Sequence, residues 1–276
     1  MRPDDARRIW QALEPIHAVT YFADECERAF QAAGLKGFWM GYFAGRSAPM
    51  GEVGPEIVEA TFFNFHPSMV RRALPDAWTY ATAPTVLDVR ARASASVLRQ
   101  LVPDIDAASA ALLPSLQRAI DAADAEGRSL FAANRNVETP HDPVAALWQS
   151  TTSLREHRGD GHVAALTAEG LDGCETHVLF ATVNEVPREL YLRSRGWSED
   201  DWSAAAERLR SRGVERETLE RIEARTDALA ATPYEALSDD EIGDVLRSAG
   251  AIAEAISASG LYPYPNPIGL PAPAKA

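Results

Sequence analysis

Apolar residues return at every third or fourth position through most of the chain, the period of helices packed on one side. A first helix begins at Asp4 or Asp5 and carries Ile9, Trp10, Leu13 and Ile16, with Pro15 expected to end or kink it. A second runs over 24–33 and stops at Gly34. Two long helices, about 85–101 and 105–125, place Val86, Val89, Val97 and Leu101, then Leu112, Leu116 and Ile120, on core-facing sides. The segment 131–142, FAANRNVETPHD, has no such period and is the expected boundary between two halves. An amphipathic helix starts at Pro143, and others follow over 172–183 and 187–212. The pattern predicts an all-α chain: a helical domain at 1–138, a second at 139–259, and a proline-rich tail at 260–276 whose Tyr262 and Tyr264 strap it to the body.

Two stretches depart from plain amphipathic helix. In 37–51, GFWMGYFAGRSAPMG, Phe38, Trp39, Met40 and Tyr42 crowd together while Gly37, Gly41 and Gly45 recur every fourth residue. On a helix that spacing makes a smooth stripe against which another backbone can lie. Arg46 closes the run, either as a charge at a helix C-terminus or as an anchor for an anion. In 154–166, LREHRGDGHVAAL, two arginines, two histidines and an aspartate fall within eight residues. Gly159 is expected to break the helix, and Asp160 to cap the next one. Such a polar knot, if buried, must be hydrogen-bonded. It is either a pin between the halves or one wall of a polar site.

Composition narrows the classes. Alanine is abundant and β-branched runs are scarce, which favours helix. The net charge of −13 opposes general binding to nucleic acid or anionic membrane. No run of about 18 apolar residues is present, so no membrane span is expected. The start, MRPDDARRIW, lacks the apolar core of a signal peptide, and Cys26 and Cys174 read as separate, reduced thiols. A cytoplasmic protein is the expectation.

The segment 187–212 has a definite form. A short helix, PRELYLRSR, breaks at Gly196, and Ser198 caps a second, SEDDWSAAAERLRSR, which buries Trp202, Ala205, Ala206 and Leu209. Two short helices joined by a glycine turn are the helix-turn-helix pattern. With HAVTYF, GFWMGYFAGRSAPMG, LREHRGDGHVAAL and RSRGWSEDDW, the chain resembles a family of actinobacterial helix-turn-helix proteins over nearly its whole length. The resemblance implies a winged-helix-like second half, broadly like the multiple-antibiotic-resistance regulators. The residues change that picture. The leading turn of the second helix holds Glu199, Asp200 and Asp201, which repel a polyanion and suit a helix N-terminus. Over 187–212 six arginines face five acids, a net of +1, which is no basic patch. After Gly213 the sequence returns directly to helix, with little room for a wing. The expectation is a degenerate winged helix, with nucleic acid not expected as a partner and a homodimer compatible with the scaffold.

The candidate chemistry is a pocket. His157 and His162 fit no zinc spacing, so no metal is expected, and no glycine-rich nucleotide motif supports a cofactor. Cys26 between Glu25 and Glu27 is a poor nucleophile. Ligand sites are mostly apolar with a few convergent polar groups. The candidates are His17, Tyr21, Trp39, Tyr42, Arg46, Phe62 and Asn64 from the first half, and Arg158 from the knot. The function they predict is small-molecule binding between the halves, as in a sensor. Two alternatives stay open: a biosynthetic or modifying enzyme with His157 or His162 as base, and a DNA-binding transcriptional regulator.

Overall fold

The structure, a computed structural model, describes residues 3–270 and Ala272, and among them there is no strand. The first half runs through α1 (Pro3–Phe22), α2 (Asp24–Ala32) and α3 (Gly37–Ser47). Three short helices follow, α4 (Pro55–Phe62), α5 (Pro67–Ala73) and α6 (Ala77–Tyr80). The long pair is α7 (Ala83–Leu101) and α8 (Ile105–Ala122), and α9 (Ser129–Arg135) is a two-turn helix that runs into the segment that showed no period. Then come α10 (Pro143–Ala168), α11 (Gly173–Val183), α12 (Arg188–Arg195), α13 (Glu199–Ser211), α14 (Arg216–Ala231) and α15 (Asp239–Ala258).

The centre of the molecule is α10. Residues 144–154 are all buried, so this helix is covered on every side. It packs against α1, α7, α8, α9 and α14. Its middle, Gln149 to Ser153, is polar, and burial there is tolerated because the side chains bond back to the helix. Thr151 and Thr152 donate to the Trp148 carbonyl, and Ser153 donates to that of Gln149. The main apolar core, with Ile9, Ile16, Leu98, Leu116, Leu147, Trp148 and Ile252, draws on residues from both sides of position 138. A second core of Phe43, Phe62, Phe65 and Leu74 lies among α3–α7, and a third of Val178, Tyr191, Trp202 and Leu209 joins α11, α12 and α13.

The knot corrects the expected break. Gly159, Asp160 and Gly161 stay inside α10, and no helix starts at Gly161. A mid-helix glycine costs about 1 kcal/mol, and packing supplies the reason for one of them. A Cβ on Gly161 would sit 2.9 Å from Arg128 Nη1, which crosses there to reach the His157 carbonyl. Asp160 does act as a cap, but for a different helix: its Oδ2 accepts from the Phe131 N–H in the first turn of α9, 2.9 Å away. Pro15 likewise sits inside α1 rather than ending it, and its carbonyl accepts from the Tyr262 hydroxyl. That bond straps the tail. Tyr262 and Leu270 are buried, and Asn266 closes a turn onto Leu270. Pro271 and residues 273–276 of the expected tail lie outside the described residues.

Candidate functional site

A cavity of about 210 Å³ opens between α1, α2, α3, α7 and α10. Its walls are aromatic: Phe22, Phe30, Phe38, Tyr42 and Trp148. The glycine stripe of α3 forms one side, but a ring lies on it rather than another backbone. A Cβ on Gly41 or Gly45 would come within 3.1 and 2.8 Å of Phe30, so the missing side chains let Phe30 pack flat against α3. Asp24 and Glu27 of α2 also line the cavity, Asp24 exposed to solvent and Glu27 half-buried.

The inner end is charged and buried. Glu156, 1% exposed, takes two hydrogen bonds from Arg46, Nε to Oε1 at 2.9 Å and Nη2 to Oε2 at 3.0 Å. Arg155 Nη1 approaches the same carboxylate at 3.0 Å, and Arg155 Nε stands 3.5 Å from Glu14. Burial alone would raise the Glu156 carboxyl, but Arg155 and Arg46 together outweigh it and hold the group well below the usual range. Glu14 has the weaker set of partners, and burial leaves its carboxyl raised. Arg46 also lies over the Phe62 ring, 4.2 Å from its centroid.

Among the described residues Arg90 has no such counter-charge in bonding contact. It is 3% exposed and donates only to neutral acceptors, the Gly45 carbonyl at 2.9 Å, Asn134 Oδ1 at 3.2 Å and Gln149 Oε1 at 2.9 Å. Its Nε finds no acceptor. Burial lowers this guanidinium to about 10.

His17 is placed by a short relay. Thr152 gives its proton to the Trp148 carbonyl, so its oxygen accepts from His17 Nδ1 at 2.9 Å. That leaves His17 Nε2 as an acceptor for the Tyr21 hydroxyl, 3.1 Å away. Burial holds His17 neutral, well below the usual imidazole range, and raises the Tyr21 phenol. Neither group is poised to exchange protons near neutral pH. They present a fixed, uncharged polar edge to the cavity.

Of the residues that sequence pointed to, His17, Tyr21, Tyr42 and Arg46 meet in this cavity. Trp39 lies one side away, against Phe43 and Phe65. Phe62 supports Arg46 from behind, and the Asn64 carbonyl accepts from Trp197 Nε1. Arg158 faces α14, with Nη1 2.8 Å from Asp227 Oδ1 as a charge contact rather than an aligned hydrogen bond. His157 is edge-on to Phe131 and His162 bonds Thr226, both away from the cavity and both lowered by burial, to about 3 and about 4. Arg90, Thr152 and Glu156 were missed. A signal for Arg90 existed: it falls on the apolar stripe of α7 with Val86, Ser94 and Val97, where a cation is out of place.

The helix-turn-helix segment forms as the sequence suggests. Gly196 takes a left-handed φ of 79° between α12 and α13, and Ser198 and Asp201 form a reciprocal cap. Where a wing would begin, α14 starts at Arg216. Most arginines here already have partners in the chain. Arg208 bonds Asp172 and Glu175, Arg212 bonds Glu175, Arg188 meets Glu199, and Arg210 meets Glu207. Arg195 is buried over the Phe65 ring and donates to the Pro267 carbonyl.

Residues 6–263 match the helix-turn-helix family, and the chain belongs to it. No curated protein and no solved structure matches the chain. Among the described residues no helix is long and apolar enough to cross a membrane.

Proposed function

Starting from that membership, we propose that the protein binds a small molecule in the cavity between α1, α2, α3, α7 and α10, as a sensor built on a helix-turn-helix scaffold. The observation that carries this reading is the cavity itself: aromatic walls closing on a buried arginine, Arg90, that has no carboxylate of its own. Ligand pockets combine an apolar lining with a few convergent polar groups in this way. Trp148, Thr152 and Glu156 lie on α10, which also packs against α14 beside the helix-turn-helix core, so an occupant would touch the element that connects the two parts of the chain.

Thermal unfolding against a panel of small aromatic and aliphatic compounds tests the reading. A ligand held at about 100 times its Kd stabilises a protein by about 2.7 kcal/mol. The expected result is a saturable rise in Tm that Thr20→Phe, which puts a ring into the cavity, abolishes. Equal shifts in wild type and Thr20→Phe would defeat it.

Family membership favours a second reading, a DNA-binding regulator. Duplex affinity comes largely from phosphate neutralisation by free cations. The α13 arginines spend their charge on Asp172, Glu175 and Glu207, and the leading turn of α13 is acidic. Our reading therefore expects no salt-sensitive gel shift with genomic fragments. Nanomolar, sequence-selective retardation would establish the regulator instead.

A further inference from the structure

We propose that the ligand is a small monoanion, a single ring bearing one carboxylate, whose acid group enters first and takes the place of the missing counter-charge beside Arg90 and Arg46. This rests on the cavity being a ligand site, and it deepens that reading to a chemical class.

The charge balance at the inner end sets the sign. Three guanidiniums, Arg46, Arg90 and Arg155, surround this end, while the carboxylates within reach are Glu156 and, beyond Arg155, Glu14. Of these three, Arg90, the most deeply buried, is the one left without a carboxylate among the described residues. A buried charge without a partner is costly, and truncating one member of a buried pair typically costs several kcal/mol. An anion supplied from outside relieves that cost. Donors for it are in place. Glu156 occupies Nε and Nη2 of Arg46, and among the described residues neither Arg46 Nη1 nor the Tyr42 hydroxyl has a hydrogen-bond partner.

The outer end sets the number of charges. Asp24 and Glu27 line the cavity on its solvent side, so a second anionic group there would be repelled. The ligand is charged at its inner end and neutral, or cationic, at its outer end. Size and walls set the rest. A dry cavity of roughly 150 Å³ accommodates benzene. About 210 Å³ therefore takes one ring with a short acid arm. Phe22, Phe30, Phe38, Tyr42 and Trp148 offer faces and edges for that ring.

The test compares three probes of one shape, phenylacetate, 2-phenylacetamide and the cationic analogue 2-phenylacetamidine, by tryptophan fluorescence and calorimetric titration of the full chain. Phenylacetate is expected to bind, the amide to bind about tenfold or more weakly because it lacks the charge-assisted bonds, and the amidine not to bind. Arg90→Met should bring acid and amide to similar affinity, and Arg90→Lys, which keeps the charge, should retain the preference for the acid. The wild-type comparison stands even where Arg90→Met fails to fold. Amide and acid binding alike, or a preference for the amidine, would overturn the anion assignment while leaving the cavity as a ligand site. Failure of all three probes at millimolar concentration, together with a flat compound panel, would overturn both. Arg90→Met that kept the full preference for the acid would remove Arg90 from the assignment.

Discussion

Replacing Glu156 with glutamine removes one charge and almost no volume from the middle of the molecule. In the wild type that carboxylate is 1% exposed and held by two guanidiniums, Arg46 through two bonds of 2.9 and 3.0 Å and Arg155 at 3.0 Å. Glu156→Gln leaves Arg46 and Arg155 facing each other across a neutral amide. Breaking a buried pair this way costs about 3–5 kcal/mol, a large part of the typical stability of about 5–15 kcal/mol. For a chain of this length that corresponds to a Tm lowered by roughly 5–9 °C. The sign with pH is fixed by the carboxyl group being held below its ordinary 4.5. Its contribution is complete above that value and is lost as pH falls toward the folded value. The deficit of the variant should therefore be constant across neutral pH and shrink only in acid. Urea unfolding of wild type, Glu156→Gln, Arg46→Met and the double variant gives the measurement. The double variant should be less damaged than the two single effects added together, by about 1–3 kcal/mol. A loss below about 1 kcal/mol for Glu156→Gln, the level of an exposed pair, would show that water reaches this network, and the reasoning would fail.

Asp160→Ala should cost about 1 kcal/mol through loss of the cap on Phe131, measured by urea unfolding. Burial raises the Asp160 carboxyl to about 6, so its stabilising contribution is present in acid and is lost as pH rises through that value. Asp160→Asn, which keeps an acceptor, should gain on the wild type between pH 4 and 7. Gly45→Ala puts a Cβ 2.8 Å from Phe30 Cζ and should push that ring into the cavity, costing about 1–3 kcal/mol in an unfolding titration and weakening any cavity ligand. His17, His157, His162 and His177 are all lowered, chiefly by burial. Unfolding lets each take a proton below about pH 6.5 that the folded state refuses, so stability should fall as pH drops from 7 to 5, by up to about 1.4 kcal/mol per histidine per pH unit.

Helical periodicity made the all-α class legible, because most of these helices keep one wet side. It misread α10 for the same reason. A helix buried on every side over 144–154 has no amphipathic stripe to follow there, and further along it Gly161 is a packing residue rather than a breaker, while Gly159 stays helical with no close neighbour outside α10. Pro15 does not end α1, which packs against α10, α14 and α15 and continues through it. The aromatic and glycine pattern of 37–51 did point to the cavity, and Tyr42 and Arg46 line it. Trp39 did not follow: its ring touches Tyr42, yet it packs onto Phe43 and Phe65 and stays outside the cavity wall. Arg90 and Glu156 come from helices distant in sequence, and only tertiary packing brings them together.

The most direct measurement is a crystal structure of the protein grown with the tightest-binding compound of the panel. Our account predicts that the compound lies against Phe30, Tyr42 and Trp148, with its polar end toward Arg46 and Arg90. A compound bound elsewhere, or a Phe30 ring filling the space in its presence, would contradict it.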